Sequence, residues 1–470
     1  MNRYIYRYML PLLLLMISAC NVSKKMQQPD LALPANFRNG TAGDTSNIAA
    51  MPWQNFFTDE QLIQLINDAI AHNYDVQLAI KNIDAARLLY RQTKWNYVPA
   101  LGLNVTASTD RPADNSLNGL SLHQYGLGNH IEDYSAGLSL AWEADLWNKI
   151  GNQKKQARAQ YLQSIEVRNL VQTDLVYGIA QGYYNLLMLD DQLTIARRNV
   201  ALNDSTLRII HFQYDAGQVT LLAIQQAQAQ RQAAAELIPQ FEQNIAIQEN
   251  ALSILTGKNP GGINRSKTLS QVIFPDRLAT GVPSSLVSYR PDVKTQELAL
   301  TVADARVGIT KAEMYPALRI TASGGVNSFK ASNWFNIPAS LFGIAAGSLA
   351  QPLIQHKELK TNYKIALLQR DEAVISFRRS VLVAVGEVAD ALVKIEKLQQ
   401  QESIVNNRVE TLQSATANAD LLFKSGLATY LEVITAQANV LQSELELTTI
   451  KRSKLTAVAD LYRSLGGGWK

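Results

Sequence analysis

The stretch NYVPALGLNVTAS (residues 96–108) contains the change of sequence pattern on which the fold depends. Apolar residues recur at helical spacing up to Pro99, and beyond it they alternate with small or polar residues, which is the period of a two-faced β-strand. The same change recurs at EMYPALRITAS (residues 313–323), where Pro316 ends the helical segment. A helix followed by a strand is therefore predicted at two places in the chain.

These two segments belong to an internal duplication. Offsets of 217 and 209 residues align the chain with itself, and each half has the same order of parts. The aligned pairs include Asp75 with Asp292, Pro99 with Pro316, Gly217 with Gly426, and Gly257 with Gly466. Each half is predicted to contain a helix, a β-hairpin and a helical hairpin, in that order.

The predicted β-hairpins span residues 98–144 and 316–353, with polar loops at about 110–133 and 327–338. Their strands have one apolar and one polar face, and each is close to the ~9 to 11 residues of a tilted strand that crosses a membrane. Four strands are too few to close a barrel, and an edge exposed to lipid would leave backbone groups without partners. Strands that span a membrane would therefore need further copies of the chain; a soluble four-stranded sheet is the alternative.

Two long runs without proline and with almost no glycine, residues 152–214 and 358–423, predict helices of roughly 95 to 100 Å. Apolar residues repeat along the second run at alternating steps of three and four, which indicates a coiled-coil seam. In the first run polar residues interleave with the apolar ones, so its seam is either partly wet or faces a channel. Its apolar positions include Leu193, Val200 and Leu207, and its polar positions are Asp190, Arg197, Asp204 and His211.

A second helix follows each long run after a glycine, over residues 221–255 and 430–465, which makes each pair a helical hairpin. Pro239 is predicted to kink or interrupt the first of these return helices. The helix that opens the first half ends near Asn96, and Asn73 is a candidate break within it.

The first 20 residues resemble the export signal of a bacterial lipoprotein. Arg3 and Arg7 precede an apolar run over residues 9–17, about half the ~20 residues that a spanning helix needs. Ile-Ser-Ala-Cys then resembles a lipobox, in which Cys20 carries the lipid; a short signal peptide with a coincidental cysteine is the alternative. Cys20 is the only cysteine, and Asn21 in place of Asp favours the outer membrane over the inner one.

Composition excludes several classes of protein. With 44 basic and 40 acidic residues spread along the chain, no basic block indicates a nucleic-acid partner. No motif for a nucleotide, a metal protease or a serine hydrolase occurs, so the chain is predicted not to be an enzyme, with no catalytic residue and no cofactor. His123 and His130 share a predicted outer loop, but ordinary loop polarity explains them better than a metal site, and none is predicted.

The whole pattern resembles the TolC-like outer-membrane factors, specifically their lipoprotein branch of NodT/OprM-type outer membrane efflux proteins. The resemblance covers essentially the whole mature chain, and its motifs are weak singly but specific in this order. They are Trp53-x-x-Phe56-Phe57-x-Asp59-x-x-Leu62 with Ala69 and Asn73, Tyr134 to Trp147, Arg290-Pro291-Asp292-Val293, Tyr315-Pro316-Ala317-Leu318, Gln351-Pro352-Leu353 and Ser425-Gly426-x-x-x-Tyr430-Leu431-x-Val433.

The resemblance implies a mixed membrane α/β fold: a homotrimeric 12-stranded transmembrane β-barrel, four strands per chain, continuous with a long periplasmic α-helical barrel. It implies an outer-membrane exit duct of a tripartite efflux system, which conducts substrates passively from a periplasmic membrane-fusion adaptor and an inner-membrane transporter, expected to be of the RND type. The duct would sit in outer-membrane lipid and extend into the periplasm. The alternatives are the duct of a type I secretion system and a non-porous, lipid-anchored coiled-coil scaffold.

This arrangement divides the chain into six predicted segments. They are a lipoprotein signal peptide (1–19), a lipid-anchored extended segment (20–58), a first repeat (59–257) with a β-hairpin (98–144) and a helical hairpin (150–257), an equatorial linker (258–288), a second repeat (289–466) with a β-hairpin (316–353) and a helical hairpin (356–466), and a C-terminal tail (467–470).

The resemblance also implies where the adaptor docks and where the duct closes. In relatives a Leu and an Asp one turn apart close the aperture; Leu431 matches the Leu, but Thr435 stands where Asp is common. We hypothesise that Leu431 closes the bore and that Asp215 or Glu432 supplies a ring of negative charge; solvated acids without such a role are the alternative. Phe423 and Lys424 occupy the adjoining aromatic and basic positions. The implied docking tips are Gly217, Gln218, Val219 and Thr220, and Gly426, Leu427, Ala428 and Thr429.

Overall fold

The structure, a computed structural model, describes residues 33–38, 47–126, 128–274 and 279–470. The predicted signal peptide and Cys20 lie outside the described residues. The α-helices of the described part are α1 (Trp53–Phe56), α2 (Glu60–His72), α3 (Tyr74–Gln92), α4 (Leu117–Tyr125), α5 (Lys149–Asp215), α6 (Leu221–Leu255), α7 (Leu286–Tyr289), α8 (Pro291–Ala312), α9 (Glu358–Lys424) and α10 (Tyr430–Ser464). The strands are β1 (Ala100–Asp110), β2 (Ile131–Ala144), β3 (Ala317–Ser328) and β4 (Leu341–Ala350).

One of two structural units contains residues 84–162 and 298–375, apart from the undescribed residue 127, and includes a four-stranded sheet in the order β1-β2-β3-β4. All neighbouring strands are antiparallel, which confirms the prediction of four strands per chain. The register places Leu103 opposite Leu138, and Trp142 opposite Ile320, so that one face of the sheet is apolar. The other face is polar, because side chains alternate along each strand.

The loop between β1 and β2 contains a helix, α4, that the sequence pattern did not predict. The segment is rich in Asn, Ser and Gly and has no apolar stripe at helical spacing, which are the features of a polar loop. The side chain of Ser116 accepts a hydrogen bond from the backbone N–H of Gly119 at 3.1 Å, and so satisfies one donor at the start of the helix.

The second unit, residues 30–83, 163–297 and 376–470 where described, contains an aromatic core. Phe56 stacks on Tyr462 with ring centroids 4.1 Å apart. Asp59, which is 1% exposed, accepts hydrogen bonds from the backbone N–H of Gln61 at 2.9 Å and from the Tyr183 hydroxyl at 3.1 Å. Asp59 therefore caps α2 and connects that helix to α5. Burial raises the pKa of Tyr462 to about 12, so its hydroxyl remains a donor.

Long helices are confirmed: α5 and α9 contain 67 residues each. The opening helix breaks at Asn73, as predicted. The predicted interruption at Pro239 does not occur, because α6 continues through it as a helix of 35 residues. One missing backbone donor is tolerated there since Leu237, Ile238 and Phe241 pack against the core on either side.

The seam of α9 matches its prediction, because Val381, Val388 and Val409 are buried at the expected spacing. The predicted seam of the distal half of α5 is met only in part. Leu193 and Leu207 pack against hydrophobic clusters, but both, like Val200, are only partly buried. The buried stripe instead consists of Gln192, Ala196, Asn199, Asn203, Thr206 and Ile210.

The facing helix, α10, explains this polar stripe. Its buried Gln437 donates from Nε2 to the Thr206 hydroxyl at 2.8 Å, and Asn199 donates to the Gln437 backbone carbonyl at 3.3 Å. Buried N–H donors are tolerated when they have such acceptors. The α5–α10 interface is therefore the wet seam that the sequence indicated, but on a neighbouring stripe of α5.

In both halves of the duplication, the opening segment makes the same contact with the end of the return helix. Asn73 donates from Nδ2 to the Leu255 carbonyl at 2.9 Å, and the residue aligned with it, Arg290, donates to the Ser464 carbonyl at 3.0 Å. Each of these contacts satisfies a carbonyl at the C-terminus of a return helix, which has no partner within the helix itself. The duplication seen in the sequence is thus a duplication of hydrogen-bonded structure.

Each return helix is followed by a glycine that packs on the opening segment of its own half. Gly257 has φ +68°, and a Cβ there would lie 2.5 Å from the His72 carbonyl oxygen. Gly466 has φ +95°, and a Cβ there would lie 2.6 Å from the Tyr289 carbonyl. Both positions require glycine because of backbone conformation and because of space.

Among the described helices, none has the length and apolar character needed to cross a bilayer.

Candidate functional site: the turns of the two helical hairpins

The two helical hairpins turn with the same backbone geometry. Gly217 and Gly426 have φ of +73° and +74°, the left-handed conformation that ends many helices. In the first turn the N–H of Gln218 donates to the Gln213 carbonyl at 2.8 Å, and in the second Leu427 donates to Leu422 at 2.8 Å. Glycine therefore ends both long helices, as the sequence pattern predicted, and the two implied docking segments have equivalent turns.

A small hydrophobic cluster joins the two turns. Phe423 is 2% exposed and belongs to one cluster with Ile210, Ala223, Ala227 and Val433. These residues come from all four helices that meet at the turns. The aromatic position next to the implied gate is therefore occupied by a core side chain that holds the two hairpins together.

Leu431 and Thr435 lie one turn apart on α10, so their side chains share a face. Leu431 is 53% exposed and Thr435 is also exposed, whereas Val433 and Ile434 between them are buried. Leu431 therefore lies on the face of α10 away from the cluster, and in the described part of the chain about half of it remains exposed.

The charged residues at the turns have different local roles. Glu432 accepts hydrogen bonds from the backbone N–H of Thr429 at 2.6 Å and from its hydroxyl at 3.2 Å, so it caps the start of α10. Lys424 forms an ion pair with Asp420 at 2.6 Å, one helical turn earlier. Asp215 is exposed at the end of α5. Only Glu432 is fixed in position by backbone contacts.

One contact between the hairpins was not anticipated from the sequence. The Tyr430 hydroxyl donates to Oε1 of Gln226 at 2.7 Å, which connects the first turn of α10 to α6. A tyrosine at the first position of a helix beside a turn was visible in the sequence. Its partner, 204 residues away, was not.

His123 and His130 both lie between β1 and β2, in the segment that the sequence predicted as a polar outer loop. His130 is exposed immediately before β2, and His123 belongs to α4.

Comparison with known proteins identifies the class of this fold. Residues 65–258 and 282–467 match the protein family described as Outer membrane efflux protein. The toluene efflux pump outer membrane protein TtgI of Pseudomonas putida is 29% identical to this chain, and the cation efflux system protein CusC of Escherichia coli K12 is 26% identical; 97% of this chain and 97% of each relative are covered. The solved open state of the Neisseria gonorrhoeae MtrE outer membrane channel matches with a TM-score of 0.86 at 24% identity, covering 96% of this chain and 99% of that chain.

The fold is thus TolC-like, with long helices and four antiparallel strands per chain in two repeats. The chain belongs to the outer membrane efflux protein family. It is an outer membrane channel of an efflux pump, a transport protein that is not an enzyme, and the resemblance inferred from the sequence motifs is confirmed.

Proposed function

We propose that this chain is the passive exit duct of a tripartite efflux system, in which three copies form one channel. The observation that supports a trimer is that the sheet has two unpaired edge strands, β1 and β4, in the described chain. Within the described chain β1 and β4 are each hydrogen-bonded on one side only, and Leu101, Leu103 and Val105 on the apolar face are 61% to 71% exposed. Unpaired edge groups in lipid cost several kcal/mol each, so β4 of one copy pairs with β1 of the next. Three copies of four strands then form a 12-stranded barrel.

The paired turns at residues 217–220 and 426–429 are the proposed docking site for a periplasmic membrane-fusion adaptor. Their matched glycine geometry and shared hydrophobic cluster support this assignment, because a rigid surface binds a partner at a smaller entropic cost than a mobile loop does. An inner-membrane transporter of the RND type would supply the energy.

The proposed lipid anchor is Cys20. One relative, 25% identical to this chain, is described as the probable outer membrane lipoprotein SilC of Salmonella typhimurium, which supports the interpretation of the lipobox. Relatives described as cation and toluene efflux proteins match this chain about equally well. Their names support the proposal that other components of the pump select the cargo.

The test of the proposed duct is single-channel recording from the detergent-purified protein, with its mass measured in the same sample. We expect a trimer with small, stable current steps, because Leu431 from three copies narrows the bore. Leu431→Ser should raise the conductance, whereas Leu427→Ser, at a leucine that is 77% exposed in the turn itself, should leave it unchanged. A soluble monomer without conductance would instead favour the scaffold.

The proposed ring of charge is tested in the same recordings with Glu432→Gln and Asp215→Asn. Glutamine keeps the side-chain oxygen that accepts from the Thr429 N–H, so Glu432→Gln removes the charge and retains the helix cap. We expect a weaker preference for cations in at least one variant. Unchanged conductance and ion preference in both would exclude the ring.

A further inference from the structure

The polar face of the sheet carries charge only near its two ends. Strand pairing assigns to this face a middle zone of small or uncharged residues, all of them in the described part of the chain. Most of them are Gly, Ala, Ser or Thr, and the larger ones, Asn104, Asn327, Phe342 and Ile344, are uncharged. Asp110 and Asp133 follow at the loop end, and Glu143 and Arg319 at the end where β2 leads into α5.

Arg319 is the most exposed charge at that second end. It lies directly opposite Glu143 in the register, and its side chain is 61% exposed while that of Glu143 is 27% exposed. The Arg319 guanidinium approaches Glu143 at 3.5 Å, but Lys149 makes the closer contact with the same carboxylate, at 2.9 Å. Two bases therefore share one acid, and much of the Arg319 charge remains available to solvent.

The other acids near Arg319 are positioned differently. The carboxylate of Asp145 accepts hydrogen bonds from the backbone N–H groups of Ile150 and Gly151, at 3.0 and 2.9 Å, and so caps α5. Glu313 is half-buried and lines the helix side of a cavity of about 260 Å³ beside Arg319. Neither acid lies on the polar face of the sheet.

We infer that Arg319 determines charge preference in the membrane part of the duct: it attracts anionic groups of the cargo and repels cations at the inner end of the polar face. This inference rests on the proposed function, since it requires the polar face to line a water-filled lumen. In a trimer three Arg319 side chains would form the layer. A charge acts strongly only within about one Debye length, ~8 Å in physiological salt, so the uncharged middle zone leaves this layer dominant locally.

The experiment measures local charge by thiol chemistry. Thr321→Cys places a thiol two residues from Arg319 on the same face, at about 7 Å. The probes are an anionic methanethiosulfonate (sulfonatoethyl) and a cationic one (trimethylammonioethyl), added to cells from outside. We expect that adding Arg319→Gln to Thr321→Cys lowers the ratio of anionic to cationic reaction rates at the new thiol by about fivefold, whereas adding Arg319→Lys should retain it.

Thr106→Cys is the matched control, because it lies on the same face about 26 Å from Arg319 along the strands. The rate ratio of its thiol should not change when Arg319→Gln is added. The unsubstituted chain, with Cys20 alone, gives the background.

The proposed duct and the proposed role of Arg319 would be contradicted by different results. If the thiols of Thr321→Cys and Thr106→Cys both react, but Arg319→Gln leaves the ratio in Thr321→Cys unchanged, the assignment to Arg319 is wrong and the duct stands. If neither thiol reacts with either probe, the polar face is not water-filled, and both the duct and the role of Arg319 are excluded.

Discussion

A single buried arginine, Arg290, joins the start of the second half to the end of its return helix. Arg290 is 4% exposed; it donates hydrogen bonds to Asp292 at 2.7 Å and to the Ser464 carbonyl at 3.0 Å, and it forms an ion pair with Glu387 at 2.8 Å. In the first half the aligned residue, Asn73, performs the same closure with an uncharged amide. The duplicated halves therefore reach one structural solution with different chemistry, and their sensitivity to substitution should differ accordingly.

Arg290→Met should destabilise the protein by about 3 kcal/mol, because Asp292 would lose its counter-ion and Glu387 would keep, within the described chain, only Arg463, at 3.6 Å. The effect belongs at the low end for a broken buried pair, since these carboxylates are about one-third exposed (32% and 34%). Asn73→Ala, the matched control, should cost only about 1 kcal/mol. Thermal unfolding in detergent measures both, and equal losses would contradict the assigned role of Arg290.

The same ion pair predicts a dependence on acid. Burial alone would raise the pKa of Asp292, but the hydrogen bond and charge of Arg290 outweigh it and hold that pKa below its ordinary value of 3.8. A lowered carboxyl pKa stabilises the fold above the unfolded pKa, and this contribution is lost as pH falls below about 4. The melting temperature of the natural protein should therefore fall between pH 5 and 3. The fall should be smaller in Arg290→Met; equal slopes would mean that other groups cause it.

At the scale of elements, the two faces of β1 should respond oppositely to charge. Leu103 lies on the apolar face and is 71% exposed, while its neighbour Asn104 lies on the polar face and donates to the Ser139 hydroxyl at 2.9 Å. Leu103→Lys should cost about 2 to 4 kcal/mol in lipid and reduce the amount of chain in the outer-membrane fraction. Asn104→Lys should leave that amount near normal. The reverse order would mean that the faces are assigned wrongly.

The glycines that follow the two return helices, Gly257 and Gly466, provide a second test at this scale. Gly466→Ala should destabilise the fold by about 1 to 2 kcal/mol from its left-handed backbone alone, with a further loss as Tyr289 is displaced. Gly257→Ala should behave alike, because it occupies the aligned position. Gly178→Ala, within α5, meets no atom within 4 Å and should stabilise the helix by about 1 kcal/mol. Thermal unfolding separates these cases, and a neutral Gly466→Ala would remove the steric argument.

At the scale of the whole molecule, the proposed lipid anchor can be tested by mass and by location. If Cys20 bears the lipid, the intact mass of the membrane-extracted chain should correspond to a start at Cys20 plus acyl groups. Cys20→Ser should abolish that added mass. Asn21→Asp should keep the lipid but move the chain toward the inner membrane. An unmodified Cys20, or a retained Met1, would contradict the anchor.

The sequence by itself determined the duplication, the four two-faced strands, the long helices and the glycine turns. Each of these depends on spacing along the chain: a period of 2 for strands, about 3.6 for helices, and glycine where the backbone must turn. Helix α4 was not predicted, because its short segment has no such period. The family followed from motifs in a fixed order, which are likewise properties of the linear chain.

Only the tertiary structure decided which stripe of α5 is buried, because a polar residue such as Asn199 becomes a core residue only when Gln437 is placed opposite it. It also decided that Phe423 belongs to a core, and that Arg290 contacts the end of its return helix as Asn73 does in the first half. Each of these roles depends on a partner that the pattern around the residue does not specify. A spacing rule reads one helix at a time, whereas burial and hydrogen bonding depend on the neighbour that folding supplies.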